Sequence, residues 1–168
     1  MSATEGGIYI ALGANLPSDH GSPQKTLEAA AAMLVEKGIV IRRRSSWWRS
    51  SPQPASDQPD FINGIFEIET SLPPDELLQL LHQVEAAFGR VRRQRWEARV
   101  LDLDLIDYCG RVSGAPVGAI LPHPRLQDRL FVLLPLQEIA PNWRHPATGA
   151  GLETLISGAV PLNINKLM

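Results

Sequence analysis

Two aspartates, Asp102 and Asp104, stand two residues apart in the stretch RVLDLDLIDY at 99–108, each flanked by leucines. Strand side chains alternate faces, so residues two apart share a face about 6.6 Å apart along the chain. As part of a strand, the pair points one way while Leu101, Leu103 and Leu105 point the other, toward a core. Two carboxylates this close repel, and keeping both ionised requires a compensating cation. Mg²⁺ is suited to the task, because it takes one or two carboxylates and completes its shell with waters and phosphate oxygens.

Upstream, RVRRQRWEAR at 90–99 holds Arg90, Arg92, Arg93, Arg95 and Arg99, with Trp96 among them. Arginine forks match phosphate oxygens bidentately. Carboxylates for a divalent cation beside arginines for phosphate are the components of phosphoryl transfer, where positioning and charge neutralisation carry the catalysis. Taken singly, each feature has a plainer reading: a solvated acidic face on an edge strand, and a basic surface loop. No G-x-x-x-x-G-K-[ST] sequence is present, so ATP would be held in another way. Cys109 has no evident base partner and reads as structural, and His20, His82 and His145 lack metal-ligand spacing.

The elements that must position these residues follow from pattern and punctuation. GIYIALGAN (7–15) reads as a buried strand ending in a turn, and residues 23–37 as a helix opened by Pro23 and stopped at Gly38. A second strand is expected at 39–48, a proline-rich loop at 50–60 and a third strand at 61–70. Residues 71–89 predict a helix with Ser71 or Asp75 as its cap and Leu77, Leu81, Val84 and Phe88 on one face. A fourth strand follows at 99–108, then a Gly/Pro/Ser-rich connection at 110–118 and a turn at 121–129. An apolar helix is expected around 130–139 and a short one near 151–157. The order β-α-β-β-α-β predicts an α+β fold with a ferredoxin-like βαββαβ core, helices packed on one face of an antiparallel sheet, plus C-terminal helices.

At 168 residues the chain reads as a single domain spanning 1–168, with ordinary hydrophobic (44%) and charged (20%) fractions. A net charge of −2 argues against a general nucleic-acid binder, so any positive patch is local. One cysteine rules out an internal disulfide and fits a reducing compartment. With no signal-peptide pattern and no apolar run near the ~20 residues of a membrane span, the expected location is cytoplasmic.

Four segments together resemble one family: YIALGANL (9–16), SDQPDFIN (56–63), GRVRRQRWEARVLDLDL (89–105) and LPHPRLQDRLFVLLPLQEIAP (121–141). The chain is similar, over about 8–145, to the 6-hydroxymethyl-7,8-dihydropterin pyrophosphokinases of folate biosynthesis. The resemblance implies transfer of pyrophosphate from ATP to the pterin hydroxymethyl group, with release of AMP, by a monomer. Asp102 and Asp104 match carboxylates that hold two Mg²⁺ ions. Arg90, Arg92 and Arg99 match arginines of the family's mobile catalytic loop and its exit, and Trp96 matches the tryptophan that closes over both ligands. His123 and Arg129 match residues at the ATP phosphates, and Glu85 faces either the adenine or the metal site. Phe61 and Phe131 match the aromatic pair around the flat pterin, with Asn63 on its edge and Ser50 where threonine is usual. Pro54 replaces a frequent glycine, and WEAR (96–99) replaces a frequent Gly-Pro in a loop about one residue shorter than in some members.

Two other readings stay open at this point. Arg42, Arg43 and Arg44 with Trp47 and Trp48 could form a basic-aromatic RNA surface. A paralogue acting on a different pterin-like alcohol would share the same motifs.

Overall fold

Six strands in one sheet and four helices make up the computed structural model, which describes residues 6–89, 100–113 and 118–167. The chain runs β1 (Ile8–Ala14), α1 (Pro23–Glu36), β2 (Val40–Arg44), β3 (Trp48–Ser50), β4 (Phe61–Glu69), α2 (Pro74–Ala87), β5 (Asp102–Tyr108), α3 (Leu130–Ile139), α4 (Leu152–Gly158) and β6 (Ile164–Lys166). Strand order is β5-β1-β4-β3-β6, with β2 pairing the other half of β4, and every pairing is antiparallel. With β2 and β3 counted as halves of one strand, this is the expected βαββαβ core. Among the described residues no helix is long and apolar enough to cross a membrane.

Alternation along β1, β4 and β5 divides the sheet into two faces. Ile8, Ile10, Leu12, Ile62, Phe66, Leu103 and Leu105 enter one core with α1 and α2. Tyr9, Ile65 and Ile106 enter a second core with α3, α4 and Trp143. The C-terminal helices thus occupy the face that the two core helices leave open. A fully buried leucine or isoleucine contributes roughly 1.5–3 kcal/mol, so both layers are substantial.

Local chemistry explains the ends of the elements. Ser22 caps α1, its hydroxyl accepting from Lys25 N at 3.3 Å. For α2 neither Ser71 nor Asp75 is the cap; Pro73 stands there with no side-chain cap bond. Pro74 already removes one donor that a cap would satisfy, and Asp75 lies inside the first turn, where its charge suits the helix dipole. The Asp75 carboxylate instead accepts from Ala119 N at 2.7 Å.

The second strand is split, because Ser45–Trp47 leave the ladder. Ser45 Oγ accepts from Ile65 N at 2.9 Å, Ser46 donates to Glu138, and Trp47 turns into the core over Gly64. A Cβ on Gly64 would lie 2.6 Å from the Trp47 ring, so only glycine fits opposite the tryptophan.

Candidate active site

The aspartates and leucines of β5 separate as their spacing predicts. Leu101, Leu103 and Leu105 are buried in the α1/α2 core, while Asp102 and Asp104 lie half-buried on the opposite face. In register, Asp104 stands beside Ala11 and Ile65, where the α3-side core runs out. The next row across the sheet is Asp102, Gly13, Asn63 and Trp48. Paired residues of an antiparallel ladder share a face, so Asp102 and Asn63 look the same way across Gly13.

Asn63 is buried and its amide nitrogen donates to Ser50 Oγ at 2.9 Å. Ser50 is paired with Phe61, which follows the same face as Asn63, two residues on. This places three of the predicted substrate residues together at one end of the sheet. Serine supplies the same hydroxyl acceptor that threonine would.

The loop between β3 and β4 is held at both ends. Ser51 N donates to Asn163 O at 3.0 Å. At the other end, Asn15 Nδ2 lies 3.1 Å from Gln58 Oε1 and 3.1 Å from the Pro59 carbonyl. Asn15 is almost fully buried. In sequence Asn15 reads as part of the turn that ends the first strand; its hold on a loop 43 residues away has no local signature.

Behind β5, Glu85 is buried on α2, and its Oε2 accepts from Leu103 N at 2.8 Å. Leu103 lies between the two aspartates, so Glu85 braces the backbone that presents them. His123 reaches the same strand through its main chain, His123 N donating to Ile106 O at 2.9 Å. Its Nδ1 accepts from Arg125 N at 3.2 Å, which leaves the neutral ring's proton on Nε2. Burial first, then the Arg129 charge, push the imidazole down to about 4, with Asp102 opposing. At neutral pH His123 is therefore an uncharged N–H donor.

Arg129 and Phe131 flank the start of α3, with the guanidinium 5.4 Å from the ring centroid. A residue predicted at the ATP phosphates thus stacks on one predicted at the pterin. Pro135 supplies no N–H for the Phe131 carbonyl within α3. Arg90, Arg92, Arg93, Arg95, Trp96 and Arg99 lie outside the described residues.

A bulge after Leu105 changes the facing of the third aspartate in the stretch. Asp107 is buried, accepting from Trp143 Nε1 at 2.8 Å and from Gly110 N at 3.1 Å. Burial raises its carboxyl above the usual range, partly offset by these donors. It ties β5 to the C-terminal segment and stands apart from the aspartate pair.

The basic-aromatic strip of β2 and β3 is engaged within the molecule. Arg42 pairs with Glu69 at 2.6 Å, Arg43 with Glu67 at 3.5 Å and Arg44 with Glu28 at 2.6 Å. Trp47 Nε1 donates to Glu28 at 2.8 Å and Trp48 Nε1 to Glu138 at 3.0 Å. Trp47 is buried in the core, and the Lys166 ammonium lies 5.5 Å from the centroid of the half-buried Trp48 ring.

Residues 9–141 match the family model described as 7,8-dihydro-6-hydroxymethylpterin-pyrophosphokinase (HPPK). The 2-amino-4-hydroxy-6-hydroxymethyldihydropteridine pyrophosphokinase of a Synechocystis strain is 43% identical over 151 residues, covering 89% of this chain and 74% of that one. The Bacillus subtilis enzyme of the same name is 41% identical, over 84% of this chain and 83% of its own. Among solved structures, the crystal structure of Plasmodium falciparum HPPK-DHPS with pteroate aligns with a TM-score of 0.64 at 11% identity, over 90% of this chain and 44% of that one, and shares the fold. The chain belongs to the 7,8-dihydro-6-hydroxymethylpterin-pyrophosphokinase family.

Proposed function

We propose that this chain transfers the β,γ-pyrophosphoryl group of ATP to the hydroxymethyl oxygen of 6-hydroxymethyl-7,8-dihydropterin. The pterin oxygen bonds to the β-phosphorus, the bond from that phosphorus to the α-phosphate oxygen breaks, AMP leaves, and the hydroxyl proton is released. The observation that carries the reading is the row Asp102, Gly13, Asn63, which puts a residue proposed for the cation and one proposed for the heterocycle on one face of the sheet.

The donor set fits Mg²⁺. Among the described residues no three His, Cys, Asp or Glu side chains gather as a protein cage. Two carboxylates on one face suit an ion that keeps waters and takes substrate phosphate oxygens. Asp102 and Asp104 would hold two such ions, which neutralise phosphate charge and acidify the hydroxyl when bound.

The chain's own groups do the positioning. Glu85 fixes the backbone between the aspartates. His123, locked as a neutral Nε2–H donor, offers a hydrogen bond to a phosphate oxygen without adding charge. Arg129 contributes charge beside it. Phe61 and Phe131 supply flat apolar surface, and Asn63, oriented by Ser50, supplies edge contacts to the pterin. Arg90, Arg92 and Arg99 neutralise phosphate charge and Trp96 covers the ligands, as the family resemblance implies. The reading is of a cytoplasmic monomer that handles two small molecules.

The test is AMP release from ATP, Mg²⁺ and 6-hydroxymethyl-7,8-dihydropterin by the purified chain. Turnover with this alcohol supports the reading. ATP consumption only with a different pterin-like alcohol would assign the chain to another reaction on the same site.

A further inference from the structure

We propose that Gln53 is a specificity residue for the heterocyclic substrate, its side-chain carbonyl accepting a hydrogen bond from a ring or amino N–H. The inference rests on the pterin reading above and deepens it. Gln53 lies in the loop that joins β3 to β4, whose first rung is the Ser50–Phe61 pair. The same Ser50 orients Asn63, so the loop springs directly from the proposed heterocycle contacts. Its anchors are Ser51 on Asn163 at one end and Asn15 on Gln58 and Pro59 at the other, and Gln53 lies between them.

Within that anchored loop, Gln53 Oε1 is shielded from solvent and meets no hydrogen-bond donor among the described residues. No other side-chain oxygen or nitrogen among them is left in this condition. Buried acceptors are almost always satisfied, and an exception calls for a partner that arrives from outside the chain. Phosphate oxygens cannot supply one, because they carry no N–H and would repel a carbonyl. A flat heterocycle with amino and ring N–H groups can.

The consequence is a double signature of opposite sign. Removing an unsatisfied buried acceptor relieves the free protein, while the substrate loses a partner. In Gln53→Leu the free protein should melt at the same or a higher temperature than the wild type. The dissociation constant for 6-hydroxymethyl-7,8-dihydropterin, titrated calorimetrically with Mg²⁺ and a non-hydrolysable ATP analogue, should rise about five- to tenfold. The KM for ATP should stay within about twofold, because the lost contact is to the heterocycle. Gln53→Met, close in shape, serves the same purpose if the leucine variant does not fold.

Unchanged dihydropterin affinity overturns the assignment, as does a loss that falls on ATP. Lower melting of the Met variant also overturns it, because the carbonyl is then already satisfied by an internal water. A wild type that binds dihydropterin and shows the Gln53 effect, yet releases no AMP, removes the reaction and leaves Gln53 in place. A wild type that turns over while the variants bind normally does the reverse, and one that binds no dihydropterin overturns both.

Discussion

The Asn63 side chain lies over Gly13: a Cβ built on the Gly13 backbone would stand 2.8 Å from Asn63 Oδ1. Gly13 is also the residue between Asp102 and Asn63 in the sheet register, so the one position without a side chain separates the acidic pair from the proposed heterocycle contact. Its φ is not in the left-handed region, so the demand for glycine here is one of space alone.

Gly13→Ala should therefore displace Asn63 from its bond to Ser50 while leaving the strand paired. Overpacking of this kind costs about 1–3 kcal/mol. The expected result is a KM for the pterin raised about tenfold or more, with a smaller change for ATP. Equal KM values in wild type and variant would show that Asn63 is not a substrate contact.

How much of this was legible beforehand depends on how local the cause is. The facing of Asp102 and Asp104 could be read, because strict alternation with three leucines fixes it within five residues. Asp107 could not, because the bulge after Leu105 depends on how β5 meets β1 at Tyr9 and Ile10. The run IVIRRRSSWW reads as one strand, yet Trp47 leaves the ladder because Gly64 opens space for it on β4. β6 has three residues and pairs with β3, more than a hundred positions upstream, so nothing in its own composition announces it. The hold of Asn15, and the role proposed for Gln53, arise only when the β3–β4 loop folds back over the end of β1.

Asp102→Asn and Asp104→Asn each remove one negative charge without changing volume. Both side chains are half-buried rather than core, so folding should survive with little change in melting temperature. Loss of charge neutralisation in the transition state should lower kcat by roughly 10²–10³-fold for each. Chelation of Mg²⁺ by EDTA should stop AMP release from the wild type. Substantial turnover by both variants at saturating Mg²⁺ would place the cation elsewhere.

The neutral state of His123 predicts a pH signature in stability. Its folded value, about 4, lies below the ordinary 6.5, so between these limits the unfolded chain binds the extra proton. Stability contributed by the neutral ring is intact above about pH 6.5 and is lost as pH falls toward 4. The loss is bounded at about 3.5 kcal/mol, taking about 1.4 kcal/mol per unit between 6.5 and about 4. Urea unfolding of wild type and His123→Gln at pH 7 and pH 4.5 reads it directly. The wild type should lose stability relative to the variant, and a constant difference would mean that the imidazole is not held neutral.

Trp143→Phe tests the third aspartate of RVLDLDLIDY. The substitution keeps an aromatic ring in the α3-side core and deletes the N–H that lies 2.8 Å from Asp107 Oδ2. A buried carboxylate that loses a donor costs about 1–3 kcal/mol, so the variant should melt measurably lower at pH 7.5. Burial already holds Asp107 above the usual carboxylate range, and the Trp143 bond is the first of the contacts that oppose it. Without that bond the folded value rises further. Below it the folded state binds the proton that the unfolded chain does not, so the variant's deficit should narrow as pH falls through the raised value. Adding Asp107→Asn to the variant should remove that pH dependence, since no carboxylate is left to titrate. AMP release near neutral pH, at temperatures well below melting, should match the wild type, because this aspartate faces Trp143 and the C-terminal segment rather than the acidic pair.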